Sequence, residues 1–218
     1  MKIQEIYEKY YILPNLQLHM LHVASVAAFI CDSVKIPINK DFIIGAGLLH
    51  DLGNIVKFDF EHFSKTWFLP QGVDYWKDVY REFTKKYGSD DHKVTIKILK
   101  EIGVLQDVIN LIDQIGFSES EKISGSSNYN LKILSYADQR VSPYGVVSME
   151  ARYKEAWKRY AGKIDKKYTI EKFEFLKKKN YENEKQIFSH CIIKSEDITE
   201  EKVKPFIEKL RSFEIKVD

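Results

Sequence analysis

Histidines at 19, 22, 50, 62, 92 and 190 are the residues of this chain with the widest chemical repertoire. His50 is followed directly by Asp51, so an imidazole and a carboxylate leave adjacent positions and can ligate one divalent ion. The setting sharpens that reading. The run Gly45-Ala-Gly-Leu-Leu-His-Asp-Leu-Gly is small and apolar until it delivers two polar side chains at a helix end. A buried polar pair needs partners, and a buried carboxylate needs a cation. A core histidine beside a capping aspartate meets that need as well as a metal does, so the segment alone leaves both open. Two further residues read as inward-facing donors. His22 interrupts the apolar face of Leu18, Val26 and Phe29, and Asp138 follows Ala137 on an otherwise apolar stretch. Each alone fits ordinary core packing. Together they complete a set of two imidazoles and two carboxylates, suited to Mn²⁺, Fe²⁺, Co²⁺, Ni²⁺ or Zn²⁺. Without thiolates the set is a poor structural-zinc site. His19, one turn before His22, reads as a surface residue.

The elements that must position these donors are helical almost throughout. Pro14-Asn15 starts a helix with apolar residues three to five apart, ending before Ile36-Pro37. Asp41 caps a second, FIIGAGLLHD, which runs into Gly53-Asn54. Asp74 opens a third that reaches Tyr87-Gly88, and Ser89-Asp90 caps a fourth, DHKVTIKILKEI, stopped by Gly103. Residues 104–115 form a fifth. FSESEKISGSSNYN is the clearest loop, LKILSYADQRV a helix stopped by Pro143, and MEARYKEAWKRYA a helix capped by Ser148. Asp197 and Glu200 resemble a capping box for a last helix over 198–213. No convincing strand is present, although a short hairpin within 55–72 stays open. The fold expected is all-α: a helical core over 1–162 and a charged helical extension over 163–218.

Composition narrows the function classes. In 218 residues, 44% are hydrophobic and 30% charged, enough to bury a core without disulfides, and no apolar run approaches a membrane span. The N-terminus has no signal-peptide pattern, and Cys31 and Cys191 form no CxxC. A cytoplasmic protein with reduced thiols is expected. The net charge of +2 does not point to nucleic acid. It divides unevenly, with 16 Lys and Arg against 19 Asp and Glu in residues 1–150 and 18 against 13 beyond.

The order His22, His50-Asp51, Asp138 resembles the HD-domain metal-dependent phosphohydrolase superfamily, whose signature is H…HD…D on a helical bundle. LHVASVAAFI, LLHDLGNIVKF, HKVTIKILKEIG and YADQRV carry the likeness over roughly residues 14–145. The resemblance implies one divalent metal on His22, His50, Asp51 and Asp138. That metal would acidify a bound water for attack on a phosphate ester or anhydride of a small molecule, with a nucleotide the leading substrate class. Lys57, His92 and Arg140 are the candidate catalytic cations, and with Asn54 they are the candidate substrate contacts. Asn54 stands where nucleotidase-like branches place a Glu, and it cannot relay a proton. A proton carrier is then His92, Asp59 or Glu61, or the water itself. The interval after His92 holds Asp113 and no further histidine, so a single metal is expected. A metal- or nucleotide-sensing module without turnover is the alternative, and a di-iron oxygenase a third reading disfavoured by that missing histidine. Whether the protein dimerises stays open.

Overall fold

Pro14 occupies the first position of a helix, where its missing N–H costs nothing, and from it the 18-residue helix α2 (Pro14–Cys31) runs through the centre of the molecule. In the computed structural model, which describes residues 1–61, 63–160 and 169–217, α2 packs against α3 (Lys40–Leu49), α8 (Tyr129–Gln139) and α11 (Glu200–Leu210). The closeness to α3 depends on Gly47: a Cβ there would stand 3.0 Å from the Cα of Ala24. Small residues in the HD helix thus set the interhelical approach. Asn39, not Asp41, caps α3 by accepting from the Phe42 amide at 3.1 Å, while Asp41 pairs with Lys216.

Around this centre lie α1 (Ile3–Lys9), α4 (Val73–Tyr87), α5 (Asp91–Ile102), α6 (Gln106–Asp113), α7 (Ser120–Gly125), α9 (Met149–Tyr160) and α10 (Ile170–Phe188). Asp90 caps α5 through the Lys93 amide, and Gly103 ends it in the left-handed conformation. The segment expected as one loop instead holds α7, and the side chain of Asn128 caps α8. Buried Lys132 secures α7 by donating to the carbonyls of Ile123 and Ser124, at the end where the helix dipole favours a cation. Among the described residues of this stretch, two single 3-10 turns, Asn54–Lys57 and Lys65–Phe68, stand where a hairpin had stayed open. The strands found, β1 (Val141–Ser142) and β2 (Gly145–Val146), pair antiparallel directly after α8.

Residues beyond 169 share the central core: Ile187, Ile198, Val203, Ile207, Leu210 and Ile215 are all buried in it. The expected boundary between 162 and 163, and His62, lie outside the described residues. No helix among the described residues is long and apolar enough to cross a membrane.

Candidate metal centre

α2, the end of α3 and α8 deliver four donors to one point. His19, His50 and Asp51 present ligand atoms that all lie within 4.8 Å of one another. The Oδ1 of Asp138 lies 3.5 Å from His19 Nε2 and 3.6 Å from His50 Nε2, and Asp51 Oδ2 lies 3.7 Å from each imidazole. These separations are long for direct hydrogen bonds. They approach the roughly 3.0–3.4 Å that separates neighbouring ligands about 2.1 Å from a common ion.

The chemistry of the set fits a cation. His50 donates from Nδ1 to the Gly47 carbonyl at 2.9 Å, which leaves the lone pair on Nε2. That Nε2 is buried without a hydrogen-bond partner. Burial alone would lower the His50 pKa, but the carboxylates of Asp51 and Asp138 outweigh it and raise it to about 9. Burial pushes Asp138 the other way, yet the imidazoles of His19 and His50 hold its carboxyl well below the usual range. A positive centre belongs between these groups. Asn54 steadies the site by donating from Nδ2 to Asp51 Oδ2 at 2.7 Å.

The placement of His22 corrects the expected ligand set. Its Nδ1 lies 2.8 Å from the Leu18 carbonyl and its Nε2 2.8 Å from Glu200 Oε1, so it ties α2 to α11. Glu200 also accepts from the Val146 amide at 2.9 Å, and the capping role therefore passes to Thr199. His19, expected at the surface, is the α2 residue that meets His50 and Asp51, its ring centroid 5.5 Å from that of His50. α2 is buried on every side from Met20 to Ala28, so no apolar stripe marks which face meets α3. Two histidines three apart lie on the same side of a helix, so their spacing did not say which of them meets the HD pair.

Arg140 is likewise corrected. Its guanidinium is buried and donates to the carbonyls of Val147 (2.6 Å), Ser195 (3.0 Å) and Ile198 (3.0 Å) and to the Tyr136 hydroxyl (2.6 Å). It fastens α8 to the chain before α11 and does not line the cleft.

The cluster opens into a cleft of about 1150 Å³ that Asn54, Lys57, His92 and Asp113 also line. His92 Nε2 lies 3.0 Å from Asp113 Oδ1, and Lys57 pairs with Asp91. Gly53 makes this neighbourhood possible: its amide donates to Thr95 Oγ1 at 2.9 Å, and a Cβ would stand 2.6 Å from the Thr95 nitrogen. The start of α5, with Asp91 and His92, is thereby drawn against the HD turn. Trp76 and Phe83 are core residues, whereas Trp67 lines the cleft.

With three helices placing two imidazoles and two carboxylates at one point, the comparison with known families is direct. Residues 17–142, more than half of the chain, match the HD domain family. The chain belongs to that family, an all-α class whose members bind divalent metals, and its His-His-Asp cluster is the natural place for one. No curated protein and no solved structure matches it.

Proposed function

We propose that the protein is a phosphohydrolase cleaving a phosphate ester or anhydride of a nucleotide or related small molecule, using one divalent metal held by His19, His50, Asp51 and Asp138. The observation that carries this reading is the buried Nε2 of His50, without a hydrogen-bond partner among the described residues, 3.7 and 3.6 Å from the carboxylate oxygens of Asp51 and Asp138 and beside the imidazole of His19. A bound divalent ion supplies Lewis acidity and an acidified water. The chain's own residues do the remainder. The Gly47 carbonyl fixes the His50 tautomer, and Asn54 orients Asp51 by holding one of its oxygens. His92, hydrogen-bonded to Asp113 and lining the cleft, is the proton carrier in this reading, because Asn54 donates to a ligand instead of exchanging a proton. Lys57 offers positive charge toward equatorial phosphoryl oxygens, tempered by its pairing with Asp91.

The same Asn54 supports a second reading, a sensing module that binds metal and nucleotide without turnover. Phosphate release across a panel of nucleotide mono-, di- and triphosphates, with Mn²⁺, Fe²⁺, Co²⁺, Ni²⁺ or Zn²⁺ supplied, separates the two. Release by the wild type and not by Asp51→Ala supports the hydrolase. Metal and nucleotide binding without release from any panel member supports the module.

A further inference from the structure

The cleft that holds the donor cluster is strongly acidic: Asp51, Asp59, Asp91, Asp113, Glu119 and Asp138 all line it. An anionic substrate entering there needs more positive charge than a single metal site brings. Lys57 and His92 also line the cleft, and each already has a carboxylate partner on α5 or α6. The third cation, Arg152, comes from α9, outside the residues matched to the HD family.

Arg152 differs from the other two in what it leaves unsatisfied. Its Nη1 donates to Glu155 Oε2 at 2.9 Å one turn along the helix, while its Nε is buried with no hydrogen-bond partner among the described residues. A guanidinium carries five N–H donors in a rigid fork that suits two oxygens of one phosphoryl group. About one sixth of the side chain, 17%, stays open to solvent. The next residue repeats the pattern. Tyr153 is 4% exposed and lines the same cleft, yet its hydroxyl has no partner. Its ring is held between Phe117 and Phe173 at centroid distances of 5.9 and 6.2 Å. Burial raises the pKa of that hydroxyl, so it is a protonated donor. Two adjacent donors buried without partners are costly to leave unmade, and an oxygen acceptor bound at this wall of the cleft would satisfy them.

We propose that Arg152, with the Tyr153 hydroxyl beside it, anchors the phosphoryl group of the substrate, taking its non-bridging oxygens while the His19–His50–Asp51–Asp138 cluster takes the metal. This deepens the phosphohydrolase reading and rests on it. The anion-binding half of the site then lies on α9, beyond the HD motif, where variation in α9 can change the substrate without disturbing the metal ligands.

The probe is inorganic orthophosphate, titrated into the full-length, chelator-treated protein. Trp157, which lines the cleft one turn beyond Tyr153, contributes a fluorescence signal, and ³¹P line broadening gives a second readout. Saturable binding is expected in the millimolar range. Arg152→Ala should weaken it roughly tenfold or more and Tyr153→Phe about threefold, the losses of a charged and a neutral hydrogen bond. Arg152→Gln leaves a shorter, uncharged side chain that still packs and hydrogen-bonds but cannot present the guanidinium fork. It carries the same expectation as the alanine variant should that variant not fold. Wild-type binding retained by a folded Arg152→Ala or Arg152→Gln variant would overturn the proposal, as would no saturable binding by the wild type. Because the titration needs neither metal nor turnover, failure of the anchor is read separately from failure of phosphate release.

Discussion

His19 and His22 stand one helical turn apart, and the structure gives them opposite work, which a pair of alanine substitutions can expose. His19→Ala removes one of four donors from the cluster. If a four-donor site binds its ion with about 10–16 kcal/mol, each donor contributes roughly 3 kcal/mol, so affinity should fall about 100-fold or more. The fold should change little, since the His19 side chain hydrogen-bonds no other element at normal distance. His22→Ala should do the reverse. It removes a 7% exposed ring and a 2.8 Å contact to the Glu200 carboxylate. The lost packing and charge-assisted hydrogen bond together cost about 2–3 kcal/mol. For a chain of this size that lowers the melting temperature by about 5–10 °C. The assay is elemental analysis after reconstitution with a mixture of the five candidate metals, beside a thermal melt of the metal-free protein. The expected pattern is about one metal per chain in wild type and His22→Ala, and little in His19→Ala. Metal retained by His19→Ala and lost from a folded His22→Ala would refute the assignment.

Arg140→Met should leave metal content unchanged. It should cost about 3 kcal/mol in thermal or denaturant unfolding, because three carbonyls and a tyrosine hydroxyl lose their donor. Gly53→Ala forces a methyl to within 2.6 Å of the Thr95 backbone nitrogen, so α5 must move away. A loss of about 2–4 kcal/mol in urea unfolding, with weakened metal uptake, is expected. For Glu200, burial raises the pKa, but the Val146 amide and His22 outweigh it and hold the carboxyl below its usual value. A depressed carboxylate stabilises above its unfolded pKa and loses that contribution as pH falls through the folded one. Melts of wild type and Glu200→Gln should therefore differ at neutral pH and converge below the ordinary carboxylate range. A difference that grows on acidification would show the pairing to be wrong.

Much of the architecture was legible before any coordinates. Asp90 and Gly103 bracket α5 as their chemistry demands, Pro14 opens α2, and the small residues before His50 permit the close approach to Ala24. Other elements left weaker marks. α1, α7 and α10 are short or charge-dense, and their identity rests on what they pack against: Lys132 on the end of α7, and Asn180 and Asn183 on Ser120 and the Lys132 carbonyl. A polar residue buried by a partner 51 or 60 positions away looks like any surface polar residue in the chain.

The amino-acid sequence by itself determined the helical class, from periodicity and breakers, and the HD pair at the end of an apolar helix. It offered Asp138 as a candidate donor, which only the likeness to the H…HD…D pattern joined to that pair. Tertiary structure alone decided that His19 and not His22 completes the cluster, because α2 is buried around its circumference from Met20 to Ala28 and packs against α3, α8 and α11. It also decided that Arg140 is a clasp, since the carbonyls of Ser195 and Ile198 that claim it lie 55 and 58 residues away. The unsatisfied Arg152 and Tyr153 became visible only once α9 was seen to line the cleft. Local pattern names the groups capable of chemistry. Which of them meet depends on the rotation of packed helices, which no single helix encodes.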